Sequence, residues 1–319
     1  MAYRAVQQRI VRATNHVSGS DVVYVENPKV ACSNMKWALV GAFCPENSGR
    51  ISNIHDRRET MFISDYRGAV RTLIDPSSQI FSIVRHPRNR FISAYFDKMH
   101  KGRDESVWKI IAAALNLEVD KIHDPKTILD RIYSHSPQDL DSHIAKQITN
   151  IFFGHINFSN IYHLEELTPD ATHIKVGSCS LELINRQSQS TEARIDRSLF
   201  DDEALEMIDV VYSDDYAAFG YDPKEPKPVR DIATPDKSSM LLDFLASDTP
   251  IQFLLDFFAD GPRKLSYLET GAIIDIISKR DVWHLMPHHL IDFIIARNAI
   301  LQGDNAERFS SRFSGFPQA

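Results

Sequence analysis

The stretch Ile80-Phe-Ser-Ile-Val-Arg-His-Pro-Arg-Asn-Arg-Phe-Ile-Ser-Ala-Tyr-Phe-Asp-Lys98 constrains the fold more than any other part of the chain. Gln79–Val84 is apolar enough to be a central strand of a parallel sheet. Pro87 then predicts a turn that opens a helix from about 88 to 100, with Phe91, Ala94, Tyr95 and Met99 at helical spacing. Arg85 ends the strand, and Ser93 lies two turns into the helix. Arg85, Arg88 and Arg90 crowd the positive end of that helix's dipole, which is unfavourable unless an anion sits there. Guanidinium forks, a hydroxyl and helix amides converging on one corner suit a phosphate group. Arg90 has two open roles, phosphate binding or pairing with a carboxylate. His86 is expected to shape the turn.

A second corner precedes it. Residues 21–26, Asp-Val-Val-Tyr-Val-Glu, form a β-branched run that reads as the first strand. The loop Asn27-Pro-Lys-Val-Ala-Cys-Ser-Asn34 follows, with Ser33 or Asn34 as N-cap of a helix through Trp37, Leu39 and Val40. Backbone amides of Ala31, Cys32, Ser33 and Asn34 can cradle an anion there, with Lys29 supplying a point charge. Two such corners on neighbouring strands predict a ligand carrying phosphate at both ends of a nucleotide.

Further along, 65–74, 105–117, 125–135 and 202–219 carry helical patterns, and Ile161–Leu164 reads as a third strand. Strands alternating with helices predict a three-layer α/β domain around a parallel sheet, its binding loops at the carboxyl ends of the strands. Tyr221-Asp-Pro-Lys-Glu-Pro-Lys-Pro-Val-Arg230 shifts to prolines and alternating charges, the composition of an extended linker. The expected organisation is a domain over 1–222, a linker over 223–237, a small helical appendage over 238–303 and a polar tail over 304–319. The appendage contains three apolar-faced helices, at 238–258, 265–280 and 287–302, that demand a partner surface, a homodimer contact among the options.

The net charge of −7 argues against a general nucleic-acid binder, but leaves room for a local basic pocket built from Arg85, Arg88, Arg90, Lys98, Lys101 and Arg103. Cys32, Cys44 and Cys179 have neither disulfide-framework nor zinc spacing, and read as small buried thiols of a reducing compartment. His284, His288 and His289 lack cysteines or paired carboxylates at ligand spacing, so no metal site is predicted. No stretch reaches the roughly 20 apolar residues of a membrane span.

PKVACSNMK at 28–36 and VRHPRNRFISAYFDK at 84–98 resemble the two signatures of the carbohydrate sulfotransferase family that includes the chondroitin and HNK-1 enzymes. The first signature departs at Ala31, Ser33 and Met35, where the family has Gly, Thr and Trp. Asp141-Ser-His143 with Gln147 is similar to the family's Asp-x-His-Trp-x-x-Gln, and Tyr162-His-Leu-Glu165 to a strand ending in Phe-Glu. Val211–Tyr221 resembles the close of the catalytic domain. The similarity covers about residues 20–222.

That resemblance implies a P-loop-like sulfotransferase fold and a donor, 3′-phosphoadenosine 5′-phosphosulfate (PAPS), used without metal. It assigns Lys29 to the leaving group and the loop of Lys29, Val30, Ala31, Cys32, Ser33 and Asn34 to the 5′-phosphosulfate. Arg85 and Ser93 take the 3′-phosphate. His143 becomes the base that activates an acceptor hydroxyl, with His55 and Glu165 as alternates. The family's habit implies a saccharide acceptor. Its animal members are generally anchored in the Golgi membrane, and this N-terminus shows no signal-type run, so a cytoplasmic bacterial enzyme is expected. Two rivals remain. A P-loop phosphotransferase would need the Gly-x-x-x-x-Gly-Lys pattern, which is absent. A non-catalytic descendant would keep the nucleotide pocket and use the appendage for interaction.

Overall fold

In the computed structural model, residues 2–75, 77–100, 105–135, 140–167, 173–182 and 196–232 are described. The appendage helices, the tail, Lys101, Arg103 and the three late histidines lie outside them.

The central sheet runs in the order β1-β2-β3-β4. Its strands are Thr14–His16 (β1), Val22–Val25 (β2), Gln79–Val84 (β3) and Asn160–His163 (β4). β2, β3 and β4 are parallel neighbours, in register at Val22↔Gln79 and Phe81↔Asn160, and β1 pairs antiparallel with β2. β2 is therefore the second strand, not the first. β1 has no alternating apolar pattern because its inward residues are polar. Thr14 is fully buried and donates its hydroxyl to Ile10 O at 2.8 Å, and buried Asn15 donates to Ala13 O at 3.0 Å. A buried polar residue that satisfies itself locally gives no hydrophobic signal.

The two-residue period of β2 and β3 sends side chains to two apolar clusters, one per face. Val23, Val25, Ile80 and Val84 join one cluster with Phe91 and Tyr95, and with Ile208 and Phe219 from later helices. Tyr24, Phe81 and Ile83 join the other with Met35, Leu39 and Val40. Fully burying each such side chain contributes about 1.5–3 kcal/mol, which is why both strands read as apolar runs. A small antiparallel pair, His173–Val176 (β5) and Cys179–Glu182 (β6), also packs on the second cluster through Ile174, Val176 and Leu181.

The helices are Ala2–Ala13 (α1), Cys32–Phe43 (α2), Tyr66–Ile74 (α3), Pro87–Ala94 (α4), Glu105–Ala114 (α5), Pro125–Tyr133 (α6), Gln147–Asn150 (α7), Asp202–Val211 (α8) and Ser213–Phe219 (α9). The single helix expected over 202–219 is two, separated at Tyr212. Tyr212 is buried and donates its hydroxyl to Ile144 O at 2.7 Å. The helix expected to reach residue 100 is α-helical only to Ala94, then widens into a π-turn over Tyr95–Met99, with His100 N–H bonded to Tyr95 O at 2.9 Å. Beyond α9 the chain folds back, because Val229 N–H reaches Gly220 O at 2.9 Å. Gly220 has φ 69, and a Cβ there would lie 2.2 Å from Arg230 O, so only glycine fits. No helix among the described residues is long and apolar enough to cross a membrane.

Candidate active site

The parallel strands β2 and β3 deliver their following loops to the same end of the sheet. α2 opens at Ala31 rather than at Ser33 or Asn34, and no side chain caps it. Its first-turn amides, from Cys32 to Asn34, therefore have no intrahelical partner, and the N-cap side chain offers them no acceptor. Lys29 at φ 69 and Ala31 at φ 51 hold the loop in left-handed conformations. At Ala31 the resembled signature has glycine, the residue that adopts this conformation without strain. Val30, between them, is fully buried and anchors the loop in the core. No acidic residue occupies the first turn of α2, so its positive end stays open to an anion.

Arg85 leaves β3 beside this loop, its Nη1 donating to Lys29 O at 3.4 Å. Gln147 holds that strand end on both sides. Its Oε1 accepts from Arg85 N–H at 3.0 Å and from Asn27 Nδ2 at 2.8 Å, and its Nε2 donates to Arg85 O at 2.8 Å. Gln147 is itself fixed by Asp215, whose carboxylate accepts the N–H groups of Gln147 and Ile148 at 2.9 and 3.0 Å. Burial pushes the Asp215 carboxyl up to about 6 even so.

The arginines of the second signature separate in role. Arg88 pairs with Asp209 on α8, its Nε donating at 2.8 Å. Arg90 is only 1% exposed and meets no carboxylate of the described residues within salt-bridge distance; it donates to Pro28 O at 3.1 Å, Ala145 O at 2.9 Å and Ser142 O at 2.9 Å. One guanidinium thus clamps the Lys29 loop to the loop that carries His143. Ser93 is buried on α4. His86 ends the turn, its N–H donating to Glu165 Oε1 at 2.8 Å, while Glu165 Oε2 accepts from Tyr221 O–H at 2.7 Å. Both oxygens of Glu165 are engaged in tying the sheet to the domain's end, which leaves it poorly placed to act as a base.

His143 has the arrangement of an oriented base. Its Nδ1 lies 2.7 Å from Asp141 Oδ1, which also accepts the His143 N–H at 2.9 Å. With Nδ1–H donated to the carboxylate, Nε2 is left to accept a proton. Burial raises the Asp141 carboxyl, but its hydrogen bond and attraction to His143 outweigh that and hold it below its ordinary value.

Asp97, Lys36 and Glu26, to which the motifs gave no role, join the site together with His55, the alternate base named from the sequence. Asp97, which lies in the π-turn, binds Lys29 Nζ at 2.9 Å and Lys98 Nζ at 3.2 Å. Burial raises its carboxyl, and the two lysines overcome this and hold it low. Its only sequence signal was its place beside Lys98 in the second signature. His55 contacts Ser33 Oγ at 2.9 Å and Lys36 Nζ at 3.1 Å, and Lys36 pairs with Glu26 at 2.7 Å. Among the described residues no group of three or more His, Cys, Asp or Glu could hold a metal ion.

The sequence model of the sulfotransferase family matches residues 16–222, the span that contains every one of these groups. The chain belongs to the sulfotransferase family. Comparison with curated proteins and with solved structures gives no match. As a sulfotransferase family member the chain is a transferase, with sulfuryl transfer as the family's reaction.

Proposed function

We propose that this sulfotransferase moves the sulfuryl group of PAPS to a hydroxyl of a saccharide or glycoconjugate, in the manner of the chondroitin and HNK-1 enzymes. The observation that carries this reading is the meeting of three pieces. The Lys29 loop lies against Arg85, and Arg90 joins that loop to the Asp141-backed His143. An uncapped helix start, a lysine and a serine form a donor set that fits a phosphosulfate. PAPS supplies an activated sulfuryl group. Lys29 stabilises charge on the departing phosphate, the amides from Ala31 to Asn34 with Ser33 orient the donor, and Arg85 with Ser93 take the 3′-phosphate. His143 Nε2 accepts the proton of the attacking hydroxyl. A sulfuryl group carries less negative charge than a phosphoryl group, so positioning and fixed dipoles can stabilise its transfer without a metal clamp.

The family match ending at residue 222 supports reading 1–222 as the catalytic domain, followed by the linker and the appendage. A calorimetric titration with adenosine 3′,5′-bisphosphate tests the assignment. Charge-assisted bonds contribute about 1.5–3 kcal/mol each, so Arg85→Ala should weaken binding by about one to two orders of magnitude. Ser93→Ala should weaken it less, and His143→Ala should leave it intact while abolishing transfer of labelled sulfate. Preference for magnesium ATP, or no bisphosphate binding at all, would count decisively against sulfuryl transfer.

A further inference from the structure

A chain of four side chains runs from the core to the mouth of the site. Glu26 Oε2 lies 2.7 Å from Lys36 Nζ, which lies 3.1 Å from His55 Nδ1, and His55 Nε2 lies 2.9 Å from Ser33 Oγ. An ammonium has donors only, so His55 Nδ1 must be the acceptor in its contact with Lys36. A neutral imidazole whose Nδ1 accepts carries its proton on Nε2. That proton then goes to Ser33 Oγ, and one oxygen lone pair of the serine is occupied. The serine's own hydrogen is left to point away from His55. Ser33 lies in the first turn of α2, beside the uncapped amides.

We propose that His55 is a positioning residue. Its neutral Nε2–H tautomer, set by the Glu26–Lys36 pair, holds Ser33 so that the serine hydroxyl donates to the anion at the start of α2. The inference rests on the assignment of Ser33 to the phosphosulfate. It removes His55 from the bases, because the nitrogen facing the site already carries a proton. The surroundings favour the neutral ring. Burial, then the charge of Lys36, keep His55 below the ordinary histidine range, with Lys98 and His143 adding to the effect and Glu26 opposing it. A doubly protonated ring would turn an N–H toward the ammonium of Lys36.

Two measurements on the full chain test this. Long-range proton–nitrogen NMR of the imidazoles, with His55 assigned by its loss in His55→Gln, should show a neutral Nε2–H ring at about pH 8, above the ordinary histidine value. A neutral ring protonated on Nδ1 overturns the proposal. The second measurement is the affinity for adenosine 3′,5′-bisphosphate. Glutamine can accept from Lys36 and donate to Ser33, so His55→Gln should bind within about threefold of the unaltered chain, whereas His55→Leu should lose about tenfold. The double variant His55→Leu with Ser33→Ala should bind no more weakly than Ser33→Ala alone. Additive losses would mean that His55 touches the nucleotide itself, and would overturn a role through Ser33. Absence of bisphosphate binding by the unaltered chain would instead overturn the nucleotide assignment, and the imidazole resonances would still decide the tautomer.

Discussion

Arg90→Met removes the clamp between the two halves of the site while keeping most of the apolar stem. Three carbonyl oxygens, of Pro28, Ser142 and Ala145, lose the guanidinium as donor together, although Ser142 O keeps Asn150 Nδ2 at 2.8 Å. Hydrogen bonds to a charged group contribute about 1.5–3 kcal/mol each, so three give an upper bound of about 4.5–9 kcal/mol. The guanidinium is 1% exposed, and its removal also relieves a desolvation cost of several kcal/mol, so the net loss should be about 2–4 kcal/mol. Urea unfolding followed by circular dichroism reads this directly. The functional loss should exceed the loss of stability, because the Lys29 loop and the His143 loop would no longer be held in register. A displacement of about 1 Å can cost about a hundredfold in rate, and kcat/KM for sulfate transfer should fall on that order while the protein remains folded. Arg90→Lys should rescue little, since one ammonium lacks the planar fork that reaches three separated carbonyls. A destabilisation below about 1 kcal/mol with kcat/KM within threefold of the original would refute the clamp.

Two further outcomes follow from the charges around the loop. Asp97 competes with any anion for Lys29, so Asp97→Asn should tighten binding of adenosine 3′,5′-bisphosphate; with the carboxylate about a third exposed, solvent screening limits the gain to about three- to fivefold. Weaker binding in calorimetry would show that Asp97 holds Lys29 in place instead of masking it. The second outcome concerns pH. Burial holds both His55 and His86 below the ordinary histidine value in the folded state. Below about pH 6.5 the unfolded chain therefore takes up protons that the folded chain refuses, so stability is present above that pH and drains as pH falls. The Asp215 carboxyl, raised to about 6 in the folded state, gains stability as pH falls and opposes the histidines at the acid end. The clean readout is therefore the comparison: between about pH 7.5 and 5.5 the urea midpoint of His55→Gln should fall less, or rise more, than that of the unaltered chain. Equal pH slopes for the two proteins would be the contrary result. Asp97 and Asp141 lose their contributions only in more acid solution, below about pH 4, because their folded carboxyls are held low.

The sequence by itself determined the frame of the site. β2 and β3 are apolar on both faces, so their place inside a parallel sheet was legible, as were the loops that leave them at Lys29 and Arg85. Local signals carried that much because strand burial and helix starts are written in neighbouring residues. Tertiary structure decided what each polar group does. Lys29 finds Asp97 across 68 residues, and Asn27 finds Gln147 across 120. Arg90 finds three carbonyls, of Pro28, Ser142 and Ala145. Asp97 meets Lys29 from within the π-turn, and Lys36 chooses the tautomer of His55. β1 was hidden for a different reason, its buried polar residues bonding to backbone oxygens two and four residues away and so carrying no apolar pattern. A side chain's charge and hydrogen-bonding capacity are fixed by its identity. Its partner is fixed by geometry, and geometry at these separations exists only once the chain has packed.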